Sequence, residues 1–162
     1  MTKGIVIGAS EATRPFYNDL MATIKTDYPV YTCWEELGRP KGSYEIGAIE
    51  AGSKLFDEFI YLHDTTIIKD NALFDKMFAI EGNVALTNQW YHYMGKIATL
   101  PPFPKVTNKE EAIHWEIRWF THPYTVFEDE LPYHSGVFEE KYGRKNMVLE
   151  NNYIKKYKAR WA

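Results

Sequence analysis

The amino-acid sequence predicts a single α/β domain in which helices flank a mainly parallel central sheet. Its 162 residues suit one compact domain with a buried core, so we treat residues 1–162 as one unit. Hydrophobic residues make up 45% and charged residues 25% of the chain, values near the globular average that exclude a chain disordered throughout. A strand, a helix and a second strand then follow one another near the N-terminus, as they do in a parallel βαβ unit.

That βαβ unit begins with Lys3–Gly8, a β-branched apolar run that ends in small residues as a buried strand does. Glu11–Lys25 follows as a helix, with Ser10 as its N-cap and Pro15 in its first turns. Pro29–Cys33 is typical of a second strand. The helix has one apolar face, because every fourth position is hydrophobic: Phe16, Leu20 and Ile24.

The remaining elements follow from the same periodicities. We expect, in chain order, a loop over residues 38–43, a helix over residues 48–56, a strand over Glu58–Leu62, a short helix over Asn71–Phe78, weaker strands over Asn83–Leu86 and Lys96–Leu100, and a helix over Lys109–Phe120. Tyr142–Trp161 is expected to be irregular or partly helical.

Composition excludes several classes of protein. The single Cys33 rules out an intramolecular disulfide and a zinc site built from several cysteines, and it fits a reducing compartment. The sequence has no apolar run of the roughly 18–20 residues that span a membrane, and its N-terminus lacks the layout of a secretory signal. We therefore expect a soluble, cytoplasmic protein. The aromatic share of 16% favours either a thick core or a site that stacks on flat ligands.

Charge is distributed unevenly along the chain. Residues 141–161 carry seven Lys or Arg and one acid, although the whole chain has a net charge of −3. Such a basic segment either binds phosphate groups or nucleic acid, or simply keeps the chain end solvated. Nucleic acid is the least favoured partner, because the preceding residues are net acidic and would be repelled by its backbone.

Ligands of open parallel sheets bind at the carboxyl ends of the strands. Three short segments occupy such places in the predicted sheet: Gly8-Ala9-Ser10, Thr32–Glu36 and His63–Thr66. The sequence contains no G-x-G-x-x-G fingerprint, no P-loop and no G-x-S-x-G elbow, which argues against dinucleotide enzymes, P-loop NTPases and common hydrolases.

Three longer segments stand in a particular order between residues 3 and 78. VIGASEATRPFYNDLMATI contains a strand, a loop ending in Arg-Pro and a helix, and GSYEIGAIEAGSKL forms a helix bearing Gly and Ala. FIYLHDTTIIKDNALFDKM contains a hydrophobic strand, an acidic turn and a short helix. Together they resemble the nucleotide-sugar glycosyltransferases with the GT-A, Rossmann-like fold. The resemblance implies a nucleotide-sugar-binding part over residues 1–100, and an acceptor side with a basic C-terminal segment over residues 101–162.

The family's acidic motif is Asp-x-Asp, whereas this chain has His63-Asp64-Thr65 in its place. In the family the carboxylates bind Mn²⁺ or Mg²⁺, which neutralises the donor diphosphate. The resemblance implies Asp64 as a metal or diphosphate ligand, with His63 and His134 as further metal ligands, although these cations prefer oxygen. The alternatives are a metal-free site in which basic side chains receive the charge, a cap by Asp64 on the following helix, and a packing role for His63.

The resemblance also implies how a nucleoside diphosphate sugar, such as a UDP-sugar, would be held. Gly8-Ala9-Ser10 would line the donor site, with Arg14 on a phosphate or the base. Trp34 would stack on a uracil-like ring, and Glu35 would accept hydrogen bonds from the ribose. The plainer alternatives are a surface position for Arg14 and a core position for Trp34.

The C-terminal segment and one acidic cluster complete the predicted machinery. Arg144 and Lys145 follow a flexible glycine and would close as a lid over the departing diphosphate, unless they belong to a solvated tail. An inverting transfer needs a base that takes the proton of the acceptor hydroxyl. Glu128 and Asp129 are the candidates, with Asp129 preferred, and a solvated acidic loop is the alternative.

The sequence thus predicts a glycosyltransferase that moves a sugar from a nucleoside diphosphate donor to an acceptor hydroxyl. The alternative is a catalytically inactive nucleotide-binding or protein-interaction module on the same fold.

Overall fold

A computed structural model of the protein describes residues 1–35, 44–87, 94–101, 114, 122–132 and 134–159. The helices and strands in this part of the chain are β1 (Lys3–Ala9), α1 (Arg14–Thr23), β2 (Val30–Trp34), α2 (Tyr44–Leu55), β3 (Glu58–His63), β4 (Thr66–Ile68), α3 (Ala72–Phe78), β5 (Val84–Ala85), β6 (Gly95–Ile97), β7 (Thr125–Val126), β8 (Phe138–Lys141), β9 (Arg144–Glu150) and β10 (Ile154–Ala159). None of these helices is both long and apolar enough to cross a membrane.

The larger sheet has the strand order β2-β1-β3-β6-β5-β7. Strands β2, β1 and β3 are parallel, as predicted for the βαβ half, and β5 is parallel to β7. The prediction of a mainly parallel sheet is wrong, because β6 runs antiparallel to both β3 and β5. Nine residues join β5 to β6, fewer than the dozen or so that a parallel crossover needs.

A second sheet has the order β4-β10-β9-β8, and all its pairs are antiparallel. The prediction that Tyr142–Trp161 is irregular or partly helical is therefore wrong over most of that range. Tyr142 and Gly143 have φ values of 54° and 74°, which is the two-residue turn that suits a tight hairpin between β8 and β9. Both faces of this sheet bury side chains, which hides the alternation that normally marks a strand.

Buried side chains pack on both faces of the larger sheet. One face packs against α2, with a core that includes Val6, Ala48, Ile49, Phe59 and Tyr61. The other face packs against α1, α3 and the second sheet, with a core that includes Ile5, Leu20, Leu62, Phe74, Leu149 and Ile154. The domain is thus a mixed α/β fold with helices on both sides of a central sheet, which confirms the coarser prediction.

Most predicted elements of the N-terminal half are confirmed with small shifts in their ends. The predicted helix Glu11–Lys25 is a 3-10 turn at Glu11–Thr13 followed by α1, with Pro15 in the first turn of α1. Ser10 precedes that turn, but its hydroxyl contacts the Thr13 hydroxyl rather than a helix amide. Lys109–Phe120, where a helix is predicted, lies outside the described residues except for His114.

Candidate functional site

The order of the strands reverses at one edge of the larger sheet, a place where open α/β sheets commonly form a ligand-binding crevice. The chain passes from β1 to β2 on one side, and then from β2 across to β3 on the other side of β1. Gly8 lies opposite His63 in the register, so the segments that follow β1 and β3 leave the sheet side by side. Open α/β sheets bind ligands at such a switch point, outside the carboxyl ends of the strands.

Asp64 ties these two segments together. One carboxylate oxygen, Oδ2, accepts the backbone N–H of Ser10 at 3.2 Å and also the hydroxyl of Thr13. The side chain is buried, with 8% of its residue surface exposed. The residues after Asp64 form β4, and α3 begins only at Ala72, so the alternative of a cap on the following helix is wrong. Asp64 instead binds the loop between β1 and α1, where sequence reasoning places the donor.

A buried lysine from the second sheet reaches the same turn. In the register of β10 with β4, Lys156 lies opposite Thr66. Its ammonium donates a hydrogen bond to the hydroxyl of Thr65, the residue directly after Asp64. Lys156 is 8% exposed and Thr65 is 6% exposed. At this edge of the sheet, the carboxylate of Asp64 thus lies one residue from the hydroxyl that the Lys156 ammonium contacts.

Sequence reasoning did not single out Lys156, because it belongs to the basic run Lys155-Lys156-Tyr157-Lys158. A strand assignment would have separated these residues, since successive side chains point to opposite faces. Lys155 is directed to the other face, where its ammonium pairs with Glu139 at 2.9 Å. That alternation is the signal that distinguishes the buried lysine from its neighbour.

Trp34 lies at the carboxyl end of β2, opposite Ala9 of β1. The Arg14 guanidinium lies 4.2 Å from the centre of a Trp34 ring, and Tyr17 contacts the indole edge-on at 4.6 Å. Arg14 also binds Glu11 through its Nε at 2.7 Å, and this hydrogen bond holds the pKa of the Glu11 carboxyl below its usual range. The structure thus places Arg14 and Trp34 together, with Arg14 on one indole face.

Glu35 follows Trp34 at the same carboxyl edge of the sheet and extends the pairing of β2 with β1. Its backbone N–H donates to the carbonyl of Ala9 at 2.9 Å. Glu35 is half-buried in the turn that ends β2. The predicted nucleoside-binding pair of Trp34 and Glu35 is therefore adjacent to the predicted donor loop.

Gly8 has a packing reason to be glycine. A Cβ atom at this position would lie 2.5 Å from the Tyr61 hydroxyl oxygen, far inside van der Waals contact. Tyr61 is itself buried in the core on the α2 side of the sheet. Its ring therefore occupies the space that a side chain at Gly8 would need.

Arg144 and Lys145 belong to β9 rather than to a loop, and Gly143 forms the tight turn before them. The predicted lid is thus a hairpin strand. Arg144 donates to the carbonyl of Ala12 at 3.2 Å, next to the donor loop. Lys145 lies apart from this contact, with its ammonium 5.2 Å from the centre of the Phe138 ring.

The predicted metal ligands are not assembled in the described part of the chain. His63 packs edge-on against Tyr61 with ring centres 5.6 Å apart, and His134 is exposed ahead of β8. The described residues contain no group of three or more His, Cys, Asp or Glu placed to hold a metal ion. These residues therefore do not fit the divalent-cation site that the resemblance implies.

The predicted catalytic acids lie elsewhere. The Asp129 carboxylate accepts the backbone N–H of Asn152 at 2.9 Å, and its carbonyl accepts the Asn151 side-chain amide at 2.8 Å. Glu128 is exposed beside it. Both acids therefore lie at the turn that precedes β10, and β10 carries Lys156 away from that turn.

Among the residues predicted from sequence, the structure gathers Ser10, Asp64, Arg14, Trp34 and Arg144 around the loop after β1. It adds two residues that the sequence did not indicate, Thr13 and Lys156. Comparisons with protein-family models, with curated proteins and with solved structures found no match to this chain.

Proposed function

We propose that this protein is a glycosyltransferase with a GT-A-like fold, which moves a sugar from a nucleoside diphosphate donor to an acceptor hydroxyl. One observation supports the proposal above the others: Asp64 and the buried Lys156 come together at the switch point between β1 and β3. A diphosphate needs cations and oriented polar groups, and this edge provides both.

In this proposal the nucleoside lies against the end of β2. The Arg14–Trp34 pair offers a flat, cationic surface for a base, and Glu35 accepts from the ribose hydroxyls. Transfer of the sugar leaves negative charge on the departing diphosphate, and fixed cations at that place lower the barrier. Lys156 supplies such a charge at the turn after β3, and Arg144 lies near the loop after β1.

Asp64 positions this site rather than reacting. By accepting from both Ser10 and Thr13, it fixes the loop after β1 against the turn that presents Lys156. Transfer also needs a base for the acceptor hydroxyl, and the residues predicted for it, Asp129 and Glu128, lie at the turn before β10 rather than at the Asp64 contacts.

A nucleotide-binding module without turnover is the second candidate, and the position of Asp129 favours it. That carboxylate is engaged with the Asn152 backbone at the turn before β10, away from the Asp64 contacts. A structural role at that turn leaves the donor site without the predicted base.

Thermal unfolding in the presence of UDP-sugars tests the proposal. A ligand at a hundred times its Kd stabilises the folded state by about 2.7 kcal/mol, which raises Tm by several degrees in a domain of this size. Release of free sugar from the bound donor, without acceptor, identifies the transferase, whereas binding without release identifies the module. An unchanged Tm with every nucleotide sugar, with and without Mn²⁺, contradicts both.

A further inference from the structure

The buried ammonium of Lys156 lies one residue from Asp64, which the resemblance to GT-A glycosyltransferases implies as a metal ligand. We infer that this protein binds the donor diphosphate without a divalent metal ion, and that the Lys156 ammonium takes the metal's place. The inference rests on the proposed function, because it specifies how the same crevice recognises its donor.

The first argument is the poor fit of the crevice to a hard cation. Mn²⁺ and Mg²⁺ require several oxygen ligands at once. The Asp64 Oδ2 atom already accepts from the Ser10 amide and the Thr13 hydroxyl, which orient that oxygen towards the loop after β1. His63, the neighbour that would replace the second carboxylate, packs against Tyr61 instead.

The second argument is the position of Lys156. The pairing of β10 with β4 fixes its backbone opposite Thr66, and its ammonium reaches the Thr65 hydroxyl. The ammonium thus lies one residue from Asp64 along the turn. A single positive charge held in place there acts on a phosphate oxygen more strongly than an exposed lysine would, because little water screens it.

The third argument is that a second lysine lies on the same face of β10. Positions two apart in a strand share a face, so Lys158 follows Lys156 on the same side of β10. Lys158 is half-buried and lies opposite Met147 of β9. Lys156 and Lys158 thus share one face of β10, and two cations spaced along a strand suit a ligand with two linked phosphates.

The same strand provides a matched control. Lys155 is adjacent to Lys156 and carries the same charge, but its ammonium pairs with Glu139 on the other face of the sheet. Lys155→Met removes one positive charge from β10 without touching the crevice, whereas Lys156→Met removes the charge at Thr65. A difference in UDP affinity between these two variants therefore shows the effect of where the charge lies and not of the net charge of the protein.

Calorimetric titration of the purified chain with UDP tests the inference, first in excess EDTA and then with added MnCl₂. We expect wild-type Kd values that agree within about twofold between the two conditions. Hydrogen bonds to charged groups contribute about 1.5–3 kcal/mol, so Lys156→Met should raise the Kd by about 10–100-fold in both. Lys155→Met should change it by less than about twofold.

The possible failures are distinguishable. Binding that requires Mn²⁺ overturns the inference and leaves the proposed function standing, as does a Lys156→Met Kd equal to that of wild type. A wild-type chain that binds UDP in neither condition contradicts the proposed function itself. If Lys156→Met does not unfold cooperatively, Lys156→Gln replaces it, because an amide retains a donor for Thr65 while removing the charge.

Discussion

The two edges of the larger sheet use similar groups in different ways. At the amino edge, Asp57 accepts the backbone N–H of Thr2 at 2.7 Å and the Thr2 hydroxyl at 3.2 Å through one oxygen, Oδ2. At the carboxyl edge, Asp64 accepts an amide and a threonine hydroxyl in the same manner. Asp57 is bound at an exposed chain end, whereas Asp64 is buried at the switch point. The same pair of contacts therefore holds the segment before β1 at the amino edge and the loop after β1 at the carboxyl edge.

The two buried lysines repeat this contrast. Lys96 of β6 has no exposed surface, and its ammonium donates to the carbonyl of Ile80, two residues past α3. A cation at a helix C-terminus caps carbonyl groups and interacts favourably with the helix dipole. Lys156 donates a hydrogen bond to the Thr65 hydroxyl, one residue from Asp64. What distinguishes a structural lysine from a candidate ligand-binding lysine is thus its place in the fold and not its degree of burial.

The largest expected effect is on activity, from Asp64→Asn. The substitution removes the charge while its amide oxygen still accepts from Ser10 and Thr13, so Tm should barely change. Transfer from the proposed donor should still fall by about a hundredfold, because neutral hydrogen bonds hold the loop after β1 less firmly than the carboxylate does, and a small displacement of groups that position a substrate costs about that much in rate. Turnover and thermal unfolding are measured on one preparation.

Asp57→Asn is the matched control for that prediction. It removes a carboxylate with the same pair of contacts at the other edge, where the Thr2 amide holds the pKa of Asp57 below its usual range. Activity should stay at the wild-type value. Equal losses of transfer activity in the two variants, or wild-type turnover in Asp64→Asn, would contradict the proposed difference in function between the two edges.

The next effect concerns stability, from Gly8→Ala. The new Cβ would meet the Tyr61 hydroxyl, and overpacking of this kind costs about 1–3 kcal/mol. The double variant Gly8→Ala with Tyr61→Phe should recover part of that loss, because the hydroxyl oxygen is the closest atom. Chemical denaturation of the three variants measures the coupling between the two sites. Strictly additive losses would show that the hydroxyl is not the obstacle.

Gly4→Ala sharpens the same comparison at the amino edge. There the new Cβ would lie 2.4 Å from the Phe56 ring, so a loss of stability is expected as well. Only Gly8→Ala should also weaken UDP binding, because only Gly8 adjoins the proposed donor loop. A loss of binding in both variants would trace the effect to stability alone.

Elements with a clear pattern of hydrophobic residues were predictable from the sequence. β1 is a continuous apolar run that becomes a central strand, and Phe16 and Leu20 of α1 are buried as their spacing requires. Because β1, β2 and β3 were assigned, the position of Asp64 at the carboxyl edge followed from the sequence. The partners of its carboxylate did not, since Ser10 and Thr13 lie more than fifty positions away in the chain.

The second sheet was not predictable in the same way. β9 has Val148 in a small core against Phe16 and Leu149 in the main core, so two consecutive positions are buried and the period of two is lost. In the larger sheet, the strand predicted at Lys96–Leu100 is β6 at Gly95–Ile97, but its antiparallel pairing with β3 and β5 was not predictable from its own sequence. Lys156 was missed for this reason, because its burial depends on a strand that the pattern concealed.

The smallest expected effect is at the amino edge, from Lys96→Met. Burial lowers the pKa of Lys96 from 10.5, and Glu58 opposes this shift while Lys3 adds to it. Between the lowered pKa and 10.5 the unfolded chain binds more protons than the folded one, so the free energy of unfolding rises with pH across that window. The variant should abolish this rise in the free energy of unfolding with pH.

At neutral pH, Lys96→Met should change the free energy of unfolding by only about 1–2 kcal/mol, because the loss of the hydrogen bond to Ile80 and the relief of the desolvation cost oppose each other. Denaturation at neutral pH and at about pH 10 measures both quantities. A rise that persists in Lys96→Met would assign the titration to another group, and weakened UDP binding would show that the two buried lysines are not independent.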